Sequence, residues 1–203
     1  MGRRPEIDGR ELLLRAALTL FAEQGIEGVS IRAVNREAGL GPASVHYHFG
    51  TKDALLDAVL HRYGQGVIDR IKSRAKELTE SRTTPDARDL VTMLAEPYLD
   101  LLATHDEDGR AWMKMIGQLL QQDPERILDR PSARLTWRAA AQAYPHAAPT
   151  DIQRAMRMCL VLLVSQLAQG PRSGRNALDI DLLIDFLSAG LHAALGRADR
   201  AIA

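Results

Sequence analysis

The sequence predicts an all-α protein. Apolar side chains recur at the i, i+3, i+4, i+7 spacing of a helix through nearly the whole chain. Turn-forming pairs such as Asp123-Pro124 and Tyr144-Pro145 separate these periodic segments. No run of β-branched residues alternates with polar residues, as a half-buried strand requires.

The first 80 residues are predicted to form four helices whose ends carry local signals. Gly25 ends the first helix, Ser30 can cap the second, and Gly39 ends the second. Pro42 suits the first turn of the third helix, because its missing N–H would be unpaired there in any case. Thr51 can cap the fourth helix. The predicted ranges are 10–24, 31–38, 42–48 and 52–79.

The same periodicity continues after residue 80. Five further helices are predicted, at 85–104, 109–122, 125–143, 150–169 and 179–196. We expect two domains, an N-terminal domain at 1–52 and a C-terminal helical domain at 53–203, with the fourth helix connecting them.

Composition and charge exclude several classes of protein. The chain has 203 residues, of which 46% are apolar, enough for a packed core. Lys plus Arg and Asp plus Glu number 26 each, which excludes a global polycation. Any nucleic-acid binding must therefore come from a local patch. The single cysteine, Cys159, excludes a disulfide scaffold.

The apolar runs indicate a cytoplasmic protein with no membrane segment. The first 14 residues, MGRRPEIDGRELLL, lack the continuous apolar core of a secretory signal. The longest strongly apolar run, 158–164, is far shorter than the ~20 residues needed to span a bilayer.

The polar stretch AGLGPASVHYHFGTKD, at 38–53, carries the main functional signal. Two short helices joined at Leu40-Gly41 have the dimensions of a helix-turn-helix, whose second helix enters the major groove of DNA. Small residues at its start permit close approach, and its hydroxyl and imidazole groups can contact phosphates. Val45 is the apolar residue that can hold this helix on the domain.

The N-terminal segment resembles the DNA-binding domain of the TetR family of bacterial transcription regulators. The parts that carry the resemblance are LLRAALTLFAEQGIEGVSIRAVNREAG and PASVHYHFGTKDALL. The resemblance implies a homodimer on double-stranded operator DNA and a C-terminal domain that binds a small-molecule effector. It also implies DNA contacts at Arg32, Pro42, Ala43, Ser44, His46, Tyr47, His48 and Lys52.

Three positions depart from the family pattern. Position 46 is usually tyrosine and position 42 is often basic or polar, so His46 and Pro42 change the donors that reach the operator. Position 35 is usually alanine and faces the seam between the two short helices. We therefore expect Asn35 to hydrogen-bond the backbone of the turn.

No pattern indicates catalysis, a cofactor or a metal site. Sequence motifs for dinucleotide, phosphate-loop, zinc-protease and serine-hydrolase chemistry are absent. His46 and His48 lie two positions apart, about 200° around a helix, and cannot bind one ion from one face. Cys159 is interpreted as a small buried hydrophobe, with a redox sensor as the alternative.

Two C-terminal helices are predicted to form the homodimer interface. The helix at 150–169 is apolar on nearly every side around 158–164, so it needs cover on two faces. The helix at 179–196 carries an apolar stripe beside small residues. Paired with a second copy, the two helices form a four-helix bundle. The alternative is that both belong to the core of one subunit.

The middle helices supply the candidate effector site. Large, adaptable side chains concentrate there, and the effector-binding candidates are Trp112, Met115, Ile116 and Trp137. Few charges lie among them, which favours an apolar or aromatic effector. The flanking cations that could pair with a carboxylate are Arg110, Lys114, Arg134 and Arg138.

Together these observations predict a ligand-responsive homodimeric transcription regulator, a repressor rather than an enzyme, that binds a palindromic operator. The alternative is a helical small-molecule-binding protein with a vestigial DNA-binding head. Pro42 favours this alternative, as does the weak charge of the first 52 residues, which hold seven Arg and Lys against six Asp and Glu.

Overall fold

The computed structural model describes residues 8–104, 106–128, 133–169 and 178–196. Within these ranges the chain forms ten helices and no strand, which confirms the all-α prediction. In chain order the helices are α1 (Gly9–Gln24), α2 (Ile31–Glu37), α3 (Ser44–Phe49), α4 (Lys52–Glu80), α5 (Ala87–Ala103), α6 (Glu107–Gln122), α7 (Glu125–Leu128), α8 (Ala133–Ala143), α9 (Pro149–Leu167) and α10 (Ile180–Leu195).

Several helices begin or end at the capping residues that the sequence predicts. Ser30 Oγ accepts a hydrogen bond from the Ala33 N–H at 3.1 Å, and Thr51 Oγ1 accepts one from the Ala54 N–H at 3.0 Å. Gly39 follows α2 with a φ of 66°, a conformation that favours glycine. The helix predicted at 125–143 contains α7 and α8, and the residues between them, 129–132, lie outside the described residues.

The third helix begins later than predicted. It starts at Ser44, and Pro42 lies in the turn before it, so the placement of Pro42 in the first helical turn is wrong. The side-chain Nδ2 of Asn35 donates to the Pro42 carbonyl at 2.7 Å. In a helix that began at Pro42, this carbonyl would accept the hydrogen bond of the His46 N–H instead.

Helices α1, α2 and α3 form a small head that packs against α4 and α6. Leu13, Leu14 and Phe21 of α1 are fully buried, and so is Val45, the residue predicted to hold α3 on the head. On the other side of α1, Gln118 Nε2 of α6 donates to the Ala22 carbonyl at 3.3 Å. The head therefore rests directly on the C-terminal helices.

Helix α4 is the longest described element and belongs to both parts of the molecule. Its 29 residues span about 43 Å at a rise of 1.5 Å per residue. It packs on α1 and α3 of the head and on α5, α6 and α8 of the remainder. Its buried apolar side chains include Leu56, Val59, Leu60 and Val67.

Trp112 of α6 packs against the backbone of α4 at Gly64. A Cβ atom on Gly64 would lie 2.4 Å from Trp112 Cζ2. The indole also stacks on Tyr98 of α5, with ring centroids 6.3 Å apart and ring planes 19° apart. Glycine at position 64 therefore lets three helices meet around one indole.

Cys159 packs as an apolar residue on α9. Its side chain is buried, and burial raises the pKa of the thiol to about 11. The thiol is therefore protonated at neutral pH and poorly nucleophilic. The role as a small buried hydrophobe fits this environment.

Helices α9 and α10 pack on each other and on α5. They also carry four of the five large apolar side chains that are exposed in the described ranges: Met158, Leu162, Leu182 and Phe186. Neither these nor the other described helices are long and apolar enough to cross a membrane.

We predict opposite effects from two glycine substitutions in α4. Gly64→Ala puts a methyl group 2.4 Å from Trp112 Cζ2, so it should lower the free energy of unfolding by about 1–3 kcal/mol. Gly66→Ala meets no atom within 4 Å and removes the helix penalty of glycine, so it should raise that free energy by up to ~1 kcal/mol. Urea denaturation measures both. Equal values for the two variants would contradict the packing at Gly64.

Candidate nucleic-acid interface and effector cavity

Asn35 positions α3 from α2. Its buried side chain donates through Nδ2 to the Pro42 carbonyl at 2.7 Å, and its Oδ1 accepts from the Val45 N–H at 3.0 Å. Ala43, at the N-cap of α3, has no side-chain oxygen that could accept from the first turn, so Asn35 supplies that acceptor from the neighbouring helix. The expectation that Asn35 bonds the turn backbone is confirmed.

Helix α3 and the turn before it present most of the predicted DNA contacts to solvent. Ser44 is half-buried, and the exposed members are Pro42, Ala43, His46, Tyr47 and His48. Tyr47 is 85% exposed, the most of any large apolar side chain described. Its phenolic O–H can donate to a phosphate or a base edge and can also accept.

The imidazole of His46 is oriented by the end of its own helix. Its Nδ1 lies 3.0 Å from the Gly50 carbonyl, which can only accept. A neutral His46 ring therefore carries its proton on Nδ1 and leaves Nε2 as an acceptor. The neighbouring rings of Tyr47 and His48 meet edge to face, with centroids 5.0 Å apart.

Two cations flank α3 on other helices. Arg32 is exposed on α2, and Lys52 is half-buried as the first residue of α4. Lys52 Nζ donates to the Glu27 carbonyl at 3.4 Å. An ammonium group has three donors, so Lys52 can keep this bond and also meet a phosphate.

A cavity of about 280 Å³ lies among the C-terminal helices. Its walls are mainly aliphatic and aromatic and come from α4, α5, α6, α7, α8 and α9. Helix α4 contributes Leu60, Val67, Ile68 and Ile71. An apolar cavity with a few polar groups in its wall has the character of a small-molecule site.

Three of the four effector-binding candidates line this cavity. Trp112, Ile116 and Trp137 lie in its wall. Met115 does not, because it is fully buried elsewhere in the core. The flanking cations chosen from the sequence do not line it either, and all of them are exposed: Arg110, Lys114, Arg134 and Arg138.

The charged groups of the cavity wall come from residues that the sequence reasoning missed. Arg154 and Arg157 of α9 and Glu125 of α7 line it. Arg157 Nη1 and Glu125 Oε1 are 2.5 Å apart. The pair is separated by 32 positions, so no local pattern in the sequence links the two residues.

Arg126, the residue after Glu125, ties α7 to the start of α4. Its Nη1 lies 3.2 Å from Asp53 Oδ1, and its Nη2 lies 3.2 Å from Asp57 Oδ1. Nη2 also donates to the Asp53 carbonyl at 3.1 Å. The Arg126 side chain is 23% exposed, whereas the side chains of Asp53 and Asp57 are 81% and 56% exposed. Within two residues, α7 therefore contacts both the cavity and the head end of α4.

Two family models match the chain in succession. Residues 13–59 match the model described as bacterial regulatory proteins, tetR family, and residues 92–190 match the tetracyclin repressor-like C-terminal domain. The chain belongs to the TetR family. The first match contains α2, α3 and the start of α4, so the resemblance carried by the N-terminal motifs is confirmed.

Named relatives of this TetR-family chain are transcription regulators. The regulator BetI of Cronobacter sakazakii is 24% identical over 78% of this chain and 76% of its own length. The repressor KstR2 of Rhodococcus jostii is 32% identical over 42% of this chain, and the chain spans only 39% of that relative's length. The protein is thus a DNA-binding transcription regulator with a helix-turn-helix.

Solved structures share the fold along nearly the whole chain. A TetR-like regulator from Rhodococcus sp. RHA1 covers 96% of this chain with a TM-score of 0.62 and 17% identity. NalD, a repressor of a multidrug efflux pump in Pseudomonas aeruginosa, covers 92% with a TM-score of 0.60 and 20% identity. At these identities the likeness concerns the fold.

We predict that Asn35→Ala uncouples α3 from α2. The change leaves the Val45 N–H and the Pro42 carbonyl without their buried partner, so it should lower the free energy of unfolding by about 2–3 kcal/mol. Arg36→Ala, at the exposed neighbouring position, is the control and should change it by less than ~0.5 kcal/mol. Thermal denaturation followed by circular dichroism compares them. An Asn35→Ala protein as stable as the control would refute the bridging role.

Proposed function

We propose that this TetR-family protein is a ligand-responsive homodimeric repressor that binds a roughly palindromic operator in the cytoplasm. The observation that carries the proposal is that α4 belongs to both candidate sites. Its first residue, Lys52, is a proposed DNA contact, and Ile68 and Ile71 farther along it line the cavity. A molecule in the cavity therefore touches the helix that begins at the DNA-binding surface.

In the proposed complex α3 lies in the major groove, and α2 crosses the DNA backbone. The small side chains of Ala43 and Ser44 permit close approach, and Tyr47 reaches toward a base edge or phosphate. Arg32 and Lys52 bind phosphates and thereby fix the position of α3 along the DNA. The full set of proposed contacts is Arg32, Pro42, Ala43, Ser44, His46, Tyr47, His48 and Lys52.

The proposed dimer interface is the outer face of α9 and α10, the two helices chosen from the sequence. Phe186 is 67% exposed, Leu182 is 65% exposed and Met158 is 64% exposed. A second copy on this face would remove these side chains from water and form a four-helix bundle. A dimer also matches a palindromic operator, whose half-sites lie about 34 Å apart or a multiple of that distance.

The proposed effector site is the cavity, with Trp112, Ile116 and Trp137 among its contacts. Occupation of the cavity would displace α4 or the α7 turn that Arg126 ties to Asp53 and Asp57. Either movement changes the placement of the two heads in the dimer. DNA favours one placement and the effector the other, so each ligand lowers the affinity for the other by the same factor.

Within this proposal residues 1–52 are the DNA-binding domain, and residues 53–203 are the effector and dimerisation domain. Repression as the mode of regulation draws on the KstR2 relatives, which are named as repressors. If the protein is a repressor, deletion of its gene should raise the transcription of the neighbouring genes.

The proposal is tested by selecting genomic DNA fragments with the purified protein at near-physiological salt. We expect an enriched inverted repeat. On that fragment, Tyr47→Ala and Lys52→Ala should each lower the affinity by about five- to 150-fold, since each removes a contact worth about 1–3 kcal/mol. Lys76→Ala removes the same charge from the same helix but far from the head, and is the control.

Two outcomes would overturn the proposal. Absence of any enriched sequence, with a folded dimer, would favour a small-molecule-binding protein whose head is vestigial. Equal loss of affinity in Lys52→Ala and Lys76→Ala would show that the loss comes from net charge, and that the start of α4 is not a specific contact.

A further inference from the structure

The charged residues in the cavity wall point to one chemical class of effector. We propose that the effector is an amphiphilic anion, whose apolar body fills the cavity and whose oxyanion head binds Arg157 in place of Glu125. The inference rests on the proposed function, because it assigns a chemistry to the effector of that same cavity.

The walls fit an apolar body. They combine aliphatic side chains with the rings of Tyr98, Trp112 and Trp137. The stacked pair of Tyr98 and Trp112 adds flat ring surface, with planes only 19° apart. A planar ring system can pack against such faces, whereas a strongly hydrated molecule would lose its water without replacement partners.

The charges fit an anionic head. Two arginines, Arg154 and Arg157, and one carboxylate, Glu125, line the cavity, so cations exceed anions in its wall. Arg154 lies 3.7 Å from Asp151, one turn earlier on α9, and its side chain is 79% exposed. Arg157 is only 40% exposed, which makes it the less hydrated of the two guanidinium groups. A guanidinium group offers the paired N–H donors that oxyanions prefer.

Exchange of Glu125 for a ligand head costs little. The Glu125 side chain is 58% exposed, so its pair with Arg157 is screened by water and contributes little to stability. An oxyanion fixed to an apolar body already held in the cavity competes with this carboxylate at a high local concentration. Arg157 therefore keeps a charged partner in both states.

The exchange also explains how a small molecule in the cavity would affect the DNA-binding head formed by α1, α2 and α3. Glu125 is anchored to α9 through Arg157 and is released when the oxyanion of the effector replaces it. The next residue, Arg126, holds Asp53 and Asp57 at the start of α4. Movement of this single turn is transmitted to the helix that carries Lys52.

Two fluorescent probes with the same ring system test whether the cavity prefers an anionic ligand. The anionic probe is 8-anilinonaphthalene-1-sulfonate, and the neutral probe is N-phenyl-1-naphthylamine, which lacks the sulfonate. On the wild-type dimer the anionic probe should bind about tenfold more tightly, the gain expected from a charge-assisted contact after desolvation. Both tryptophans of the chain line the cavity, so energy transfer from them to the probe reports binding there.

Three variants test which residue binds the oxyanion of the effector. Arg157→Gln should lower the affinity for the anionic probe about tenfold and leave the neutral probe unchanged. Glu125→Gln removes the competing carboxylate and should raise the affinity for the anionic probe about threefold. Arg138→Gln removes an exposed guanidinium of α8 that does not line the cavity, so it is the control and should have little effect. Circular dichroism melting verifies that each variant is folded.

The outcomes separate this inference from the proposed function. Equal affinity for the two probes, or equal losses in Arg138→Gln and Arg157→Gln, would overturn the anionic class while leaving an effector cavity in place. A weaker anionic probe in Glu125→Gln would overturn the exchange. Ile68→Trp adds bulk to the cavity wall and should weaken the binding of both probes. If the binding of both probes is unchanged, neither probe occupies the cavity, and the proposal that the cavity is the effector site is wrong.

Discussion

The proposed link between the DNA-binding surface and the cavity depends on the continuity of α4. A single helix of 29 residues begins at the proposed DNA surface and forms a wall of the cavity, and it has no proline that would bend it. In the proposed mechanism this helix moves as one body, so that a shift imposed at Ile68 or Ile71 would be carried to Lys52. The close contact between Gly64 and Trp112 adds a second constraint, because α4 cannot rotate there without displacing the indole.

The head depends on one buried amide. Asn35 holds the turn at the Pro42 carbonyl and caps α3 at the Val45 N–H, so a residue of α2 replaces the cap that Ala43 cannot provide. A helix of six residues has little stability of its own. Its orientation is therefore set by tertiary contacts, chiefly Asn35 and the buried Val45.

Local signals in the sequence predicted the helices well, because capping and periodicity act between near neighbours. Ser30 and Thr51 cap the helices as expected, whereas the start of α3 was misplaced because the partner of Pro42 lies seven positions away on another helix. The concentration of bulky side chains on the middle helices predicted part of the cavity wall, namely Trp112, Ile116 and Trp137. The pair of Glu125 and Arg157, the contacts of Arg126 and the burial of Met115 depend on how helices cross, and single-helix patterns do not contain that information.

The most direct test of coupling between cavity and head requires no effector. The two tryptophans of the chain both line the cavity, so their emission reports its conformation. The measurement is a titration of the wild-type protein with its selected operator, following tryptophan emission and DNA binding together. By reciprocity the account predicts a change in emission that saturates with the operator and is absent in Tyr47→Ala. Full binding of the operator with unchanged emission would contradict it.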